Sequence, residues 1–165
     1  MGFRLRKTTA SGETVPWTWK EVVQGKPFDR PSHPMTVHFP IAFYIGSLAL
    51  DVLSHLGHFP WAPMAATWLI LFAFAGTLAA VLTGLVDRST MRKGTKIRGI
   101  VNLHMWIQFA AAAVFIVNLA LRWSDRDIAR SRPLWIALDV VGVLLVTVGA
   151  DYGGRMVYKM GFRVE

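Results

Sequence analysis

Four apolar runs, near residues 37–58, 62–86, 99–121 and 134–154, dominate the sequence and are separated by short polar or basic stretches. Each has about the 20 residues that an α-helix needs to cross about 30 Å of hydrocarbon. Lipid offers the backbone no hydrogen-bond partner, so a spanning segment must satisfy its own N–H and C=O groups, which a helix does. Composition decides between this reading and a soluble core. With 53% hydrophobic and 17% charged residues and a mean hydropathy of +0.40, a 165-residue chain is too apolar for an ordinary soluble domain. The expected fold class is all-α, an integral membrane four-helix bundle, and its short connections favour antiparallel packing of successive helices.

Charge sets the expected orientation. Lys and Arg number six before the first run, five between the second and third, and three after the fourth. Only Arg122, Arg126, Arg130 and Arg132 lie between the third and fourth runs. Fourteen against four places both termini of the multi-pass chain in the cytoplasm by the positive-inside rule. The same distribution accounts for the net charge of +8 without a nucleic-acid partner. The expected partners are lipid and either other membrane subunits of a complex or further copies of the chain.

Two segments are expected: residues 1–34 and a four-helix domain over 35–165. The first is basic, carries Trp17, Trp19 and Phe28, and has no apolar core of the secretory type. Arg6 stands where a myristoylation signal needs Ser or Thr. Its aromatic and cationic mixture suits either a segment lying at the headgroup level or a plain linker.

Zero Cys excludes an iron–sulfur cluster, c-type haem attachment and thiol catalysis. Nucleotide-binding and nucleophile motifs are absent from the sequence too, so independent catalysis is not expected. The polar residues inside the runs then carry the argument, because ionisable groups at membrane depth face a bundle interior or a cavity. Antiparallel topology gathers His33, His38, Asp87, His104 and Asp151 at the cytoplasmic end, and Asp51, His55, His58 and Asp139 at the other. Helical spacing aligns His104, Gln108, Ala111, Phe115 and Asn118 on one face, and Asp139, Gly142, Val146, Gly149 and Gly153 on another. In the first run, either a helix begins at Pro34, leaving Pro40 to disturb its second turn, or it begins nearer Pro40.

His33-Pro34-Met35-Thr36-Val37-His38-Phe39-Pro40-Ile41-Ala42, Asp51, Thr83-Gly84-Leu85-Val86-Asp87, His104 and Gly153-Gly154-Arg155-Met156-Val157-Tyr158 with Gly161 follow in an order that resembles the bacterial integral membrane family catalogued as domain of unknown function 2231. The resemblance covers roughly residues 31–165; the ending Met160-Gly161-Phe162-Arg163-Val164 is less aliphatic than usual there. It implies a four-span fold and no settled activity. Some members are joined to Rieske-type iron–sulfur modules, which implies a redox setting.

The expected function is therefore a small membrane subunit of a respiratory or photosynthetic redox complex, binding haem b or quinone near the cytoplasmic face. In the haem reading, His38 and His104 supply the axial ligands, or His33 takes the place of His38. Asp87 or Asp151 then orients the ring N–H groups, with Gln108 nearby. In the plainer reading, His33 and His38 cap a helix while His104 bonds Asp87 or Asp151. A metal held by His33, His38 and His104 has no diagnostic ligand spacing. At the other end, Asp51, His55 and Asp139 form either a proton relay or a paired structural cluster. Two alternatives to the redox role follow: a structural accessory subunit without cofactor, and a proton or solute permeation protein.

Overall fold

A computed structural model of the chain describes residues 6–162; residues 1–5 and 163–165, including the last two positions of the atypical ending, lie outside it. The apolar runs form the long helices α3 (His38–Leu56), α4 (Ala62–Ser89), α5 (Lys96–Arg122) and α6 (Pro133–Tyr158), preceded by short helices α1 (Trp19–Val23) and α2 (Ser32–Thr36). Four candidate spans, of which the first runs over Ser32–Leu56, are long and apolar enough to cross a membrane.

The helix ends overrun the apolar runs into charged residues such as Arg88 and Lys96, where water remains available to the last backbone groups. Local chemistry sets several boundaries. Pro63 and Pro133 stand in the first turns of α4 and α6, where a missing N–H removes no helical bond. The Thr95 hydroxyl caps α5 by accepting from the Arg98 N–H at 3.4 Å. The two-proline problem resolves by breaking the helix at Val37. Pro34 then falls in the first turn of α2 and Pro40 in that of α3.

Inside the bundle, Tyr44, Ile70, Ala73, Ala111, Phe115 and Val146 form one buried cluster. The Tyr44 and Phe115 rings stack with centroids 3.8 Å apart and planes at 13°. Gly142 makes this possible, because a Cβ there would sit 2.5 Å from the Phe115 ring. Large apolar side chains such as Phe72, Leu82, Trp106 and Leu144 point outward. A bundle whose small and polar residues face inward and whose bulky ones face outward is arranged for lipid.

The N-terminal segment is more ordered than its composition announces. β1 (Arg6–Thr8) and β2 (Thr14–Pro16) pair antiparallel with Lys7 opposite Val15. The connecting turn holds Gly12 at φ 83°, a left-handed conformation open to glycine. Thr18 and Glu21 form a reciprocal capping box on α1. Lys7 donates to Glu21 at 2.6 Å, and with the Thr18 contacts this holds the Glu21 carboxyl down at about 2. Gln24 is buried and donates to Thr90 at 3.3 Å, tying the segment to the end of α4.

Candidate cofactor site

Two polar layers lie at opposite ends of the bundle. The basic end collects the starts of α3 and α5 and the ends of α4 and α6, with the N-terminal segment against it. There a cavity of about 460 Å³ is lined by residues of all four long helices, among them His104, Gln108 and Asp87, and by His33 of α2. That volume falls within the range of about 300–1,000 Å³ typical of small-molecule and cofactor pockets.

His33 and His104 are brought together, with ring centroids 6.2 Å apart and planes at 89°. His33 Nδ1 lies 2.9 Å from the Ala80 carbonyl of α4, and His104 Nδ1 lies 2.8 Å from the Gly149 carbonyl of α6. A carbonyl only accepts, so both Nδ1 atoms carry the proton and both Nε2 atoms keep a lone pair. Neither Nε2 has a hydrogen-bond partner among the described residues. Glycines make room for His33 and Gln108. A Cβ at Gly84 would come within 2.9 Å of the His33 ring, and one at Gly149 within 2.6 Å of the Gln108 amide.

The other expected members of this layer divide. Asp87 is buried in the cavity wall. His38 borders the cavity but is exposed and faces the Met35 carbonyl at 3.4 Å. The imidazole opposite His104 is therefore that of His33, five residues earlier; five residues is about 140° around a helix, so His33 and His38 cannot share a face. Asp151 does not join the layer: it is exposed and paired with Arg155 at 2.6 Å. Gly149 faces inward, and two residues further along a helix is about 200° around it, which carries Asp151 to the outside. His104 bonds a backbone carbonyl rather than either carboxylate. Among the described residues no group of three or more His, Asp or Glu is placed to hold a metal ion.

The far end holds a charged cluster with no exposed surface. Arg122 forks onto both carboxylate oxygens of Asp51 and lies 3.8 Å from Asp139. Asn118 donates to Asp139 at 2.5 Å and to the Trp135 carbonyl at 3.1 Å. Ser131 donates to Asp51 at 2.6 Å, and Ser47 lies 3.4 Å from Asp139. The Arg122 guanidinium lies over the Trp135 ring, 4.9 Å from its centroid, a cation–π contact that helps to compensate its desolvation. Among the described residues no buried side-chain nitrogen or oxygen lacks a hydrogen bond.

Two expectations change at this end. Arg122 is a core residue rather than a loop charge, leaving Arg126, Arg130 and Arg132 as the cations outside the core on that side. His55 contacts the Ser131 carbonyl through Nε2 at 2.8 Å instead of Asp51, whose oxygens Arg122 and Ser131 occupy. Sequence reasoning missed Arg122 as a member of the site. The available signal was its spacing, since it continues the inward face of Phe115 and Asn118 by one further turn.

A family model described as predicted membrane protein, domain of unknown function 2231, matches residues 29–165. No curated protein and no solved structure matches the chain.

Proposed function

The chain belongs to the membrane-protein family of domain of unknown function 2231, and from that premise we propose that it is a small subunit of a bacterial redox assembly that holds haem b between His33 and His104. The observation that carries this reading is the paired imidazoles, each with Nδ1 bound to a backbone carbonyl and each bordering the same cavity. That is the hydrogen bonding that orients a metal-ligating histidine and leaves Nε2 as the ligand atom. Their ring centroids lie 6.2 Å apart, so both imidazoles border the same part of the cavity.

The surroundings suit the rest of a haem. Val81, Leu85, Met105 and Phe109 would provide apolar contacts, and Arg88, whose Nε donates to Asn102 at 2.8 Å, would offer its remaining N–H groups to a propionate. His33 and His104 would hold the iron, and bound haem would supply one-electron exchange. The chain itself orients the ligands and excludes water. In this reading the basic end faces the cytoplasm of the inner membrane, and the outward helix faces contact lipid and the larger redox subunits.

The test is an oxidised and dithionite-reduced visible spectrum of detergent-purified protein expressed with haem available, backed by a pyridine haemochrome assay. A reduced α-band at near-stoichiometric haem supports the proposal; a colourless preparation rejects it. The imidazole tautomers favour one second reading, a quinol, whose O–H groups can donate to Nε2. Binding of a quinol to colourless protein, lost in His104→Ala, would support it. A colourless protein that binds neither supports a structural accessory subunit, in which the same imidazoles tie α2 to α4 and α5 to α6.

A further inference from the structure

The bundle is electrically lopsided. Among the described residues the basic end and its N-terminal segment carry twelve Lys and Arg against five Asp and Glu, whereas the far end carries four of each. At the far end Arg122 pairs with Asp51 and Asp139, and Arg132 with Asp125 at 2.5 Å; at the basic end Lys7 and Lys26 share Glu21 and Arg155 pairs with Asp151, which leaves most of the cations there in excess. The surplus positive charge therefore lies on one face of the molecule.

On that face the N-terminal segment presents an apolar edge. Trp19, Val22, Phe28 and Met35 are all strongly exposed, with Trp19 at 65% and Phe28 at 51%. The edge is continuous with the lipid-facing wall of the bundle, because Phe28 and Met35 line one groove with Arg30, and Phe39, 63% exposed, follows one turn after Met35 at the start of α3. Lys20, Lys26 and Arg30 stand among these aromatics and are exposed. Lys20 lies over the Trp19 ring at 5.6 Å.

We infer that this segment is a membrane-surface anchor that binds anionic phospholipid headgroups, with Trp19, Phe28 and Met35 at the acyl boundary and Lys20, Lys26 and Arg30 at the phosphates. Indole and phenyl rings favour that depth. Basic residues beside a spanning helix are attracted to an anionic leaflet over about one Debye length. The tie from Gln24 to Thr90 holds the segment against the bundle end, and Ser11 at the hairpin tip is left in water.

The absence of Cys makes a direct test clean. Full-length protein with a single nitroxide-labelled cysteine at position 11, 19 or 28 is reconstituted in phosphatidylcholine, with or without phosphatidylglycerol. Accessibility to oxygen and to a water-soluble nickel chelate is then compared by power saturation. Labels replacing Trp19 and Phe28 should favour oxygen severalfold in the anionic bilayers, and the label replacing Ser11 should favour nickel. High salt, or Lys26→Glu with Arg30→Glu, should shift positions 19 and 28 toward the Ser11 pattern. Three results would overturn the inference: positions 19 and 28 as accessible to nickel as position 11, both shielded from both reagents as beneath a protein partner, or no dependence on lipid charge. Unchanged helix content of each labelled protein by circular dichroism separates these results from misfolding.

Discussion

Asp51 of α3 and Arg122 of α5, 71 positions apart in sequence, meet in a two-pronged ion pair that neither water nor lipid touches. The pair joins the first helical hairpin to the second, and Asp139 and Asn118 extend it onto α6. Its neighbours satisfy each polar atom, the condition under which buried charges are tolerated. Most of its energetic consequence appears when one member is removed.

Arg122→Gln should destabilise the protein by about 3 kcal/mol or more, because two buried carboxylates lose their only cation among the described residues. Asp51→Asn should cost less, since Asp139 still faces the guanidinium. Stability against a denaturing detergent, followed by circular dichroism, gives the order. Equal losses in the two variants would mean that Asp139 does not share Arg122.

The glycine under the aromatic stack makes a second prediction. Gly142→Ala puts a methyl carbon 2.5 Å from the Phe115 ring, and overpacking of this kind costs about 1–3 kcal/mol. Combining Gly142→Ala with Phe115→Leu should recover part of that loss, which a double-mutant cycle measures. A purely additive result would place the strain elsewhere.

At the basic end, His33→Ala and His104→Ala should each abolish a haem α-band, while His38→Ala should leave it. Gly84→Ala should weaken binding, because its Cβ approaches the His33 ring at 2.9 Å. Spectra of the four variants, with membrane insertion checked by fractionation, distinguish this assignment from one that uses His38.

The N-terminal hairpin should respond to acid. The Glu21 carboxyl is lowered from 4.5 to about 2 in the fold, so the folded state binds its proton less readily than the unfolded one. Its stabilising contribution is complete above pH 4.5 and is lost as the pH falls toward 2. Glu21→Gln should remove that acid-dependent step and increase proteolysis between the hairpin and α1 at neutral pH. Limited proteolysis of the full chain across this pH window, with an acid-stable protease, reads both effects.

Much of the architecture is legible along the chain. Four apolar runs of spanning length, with polar and small residues at helical spacing, mark out four spans and identify Asp51, Asn118, Asp139 and Gly142 as inward. The hairpin over residues 6–16 is hidden because its strands are three residues each and carry little apolar alternation. Arg122 was obscured for another reason: at the boundary between an apolar run and a loop, a cation reads as exposed unless its distant partners are known.

The sequence by itself determined the solvent and the elements, because burial in lipid is a property of local composition and helical periodicity. Only the tertiary structure decided which polar groups meet. A change of two residues along a helix turns a side chain by about 200° and a change of five by about 140°, so the rotation of each helix against its neighbours decides which polar group faces which. Hence Asp151 points outward, His33 rather than His38 stands beside His104, and Arg122 closes a cluster whose two carboxylates lie 71 residues before it and 17 after it.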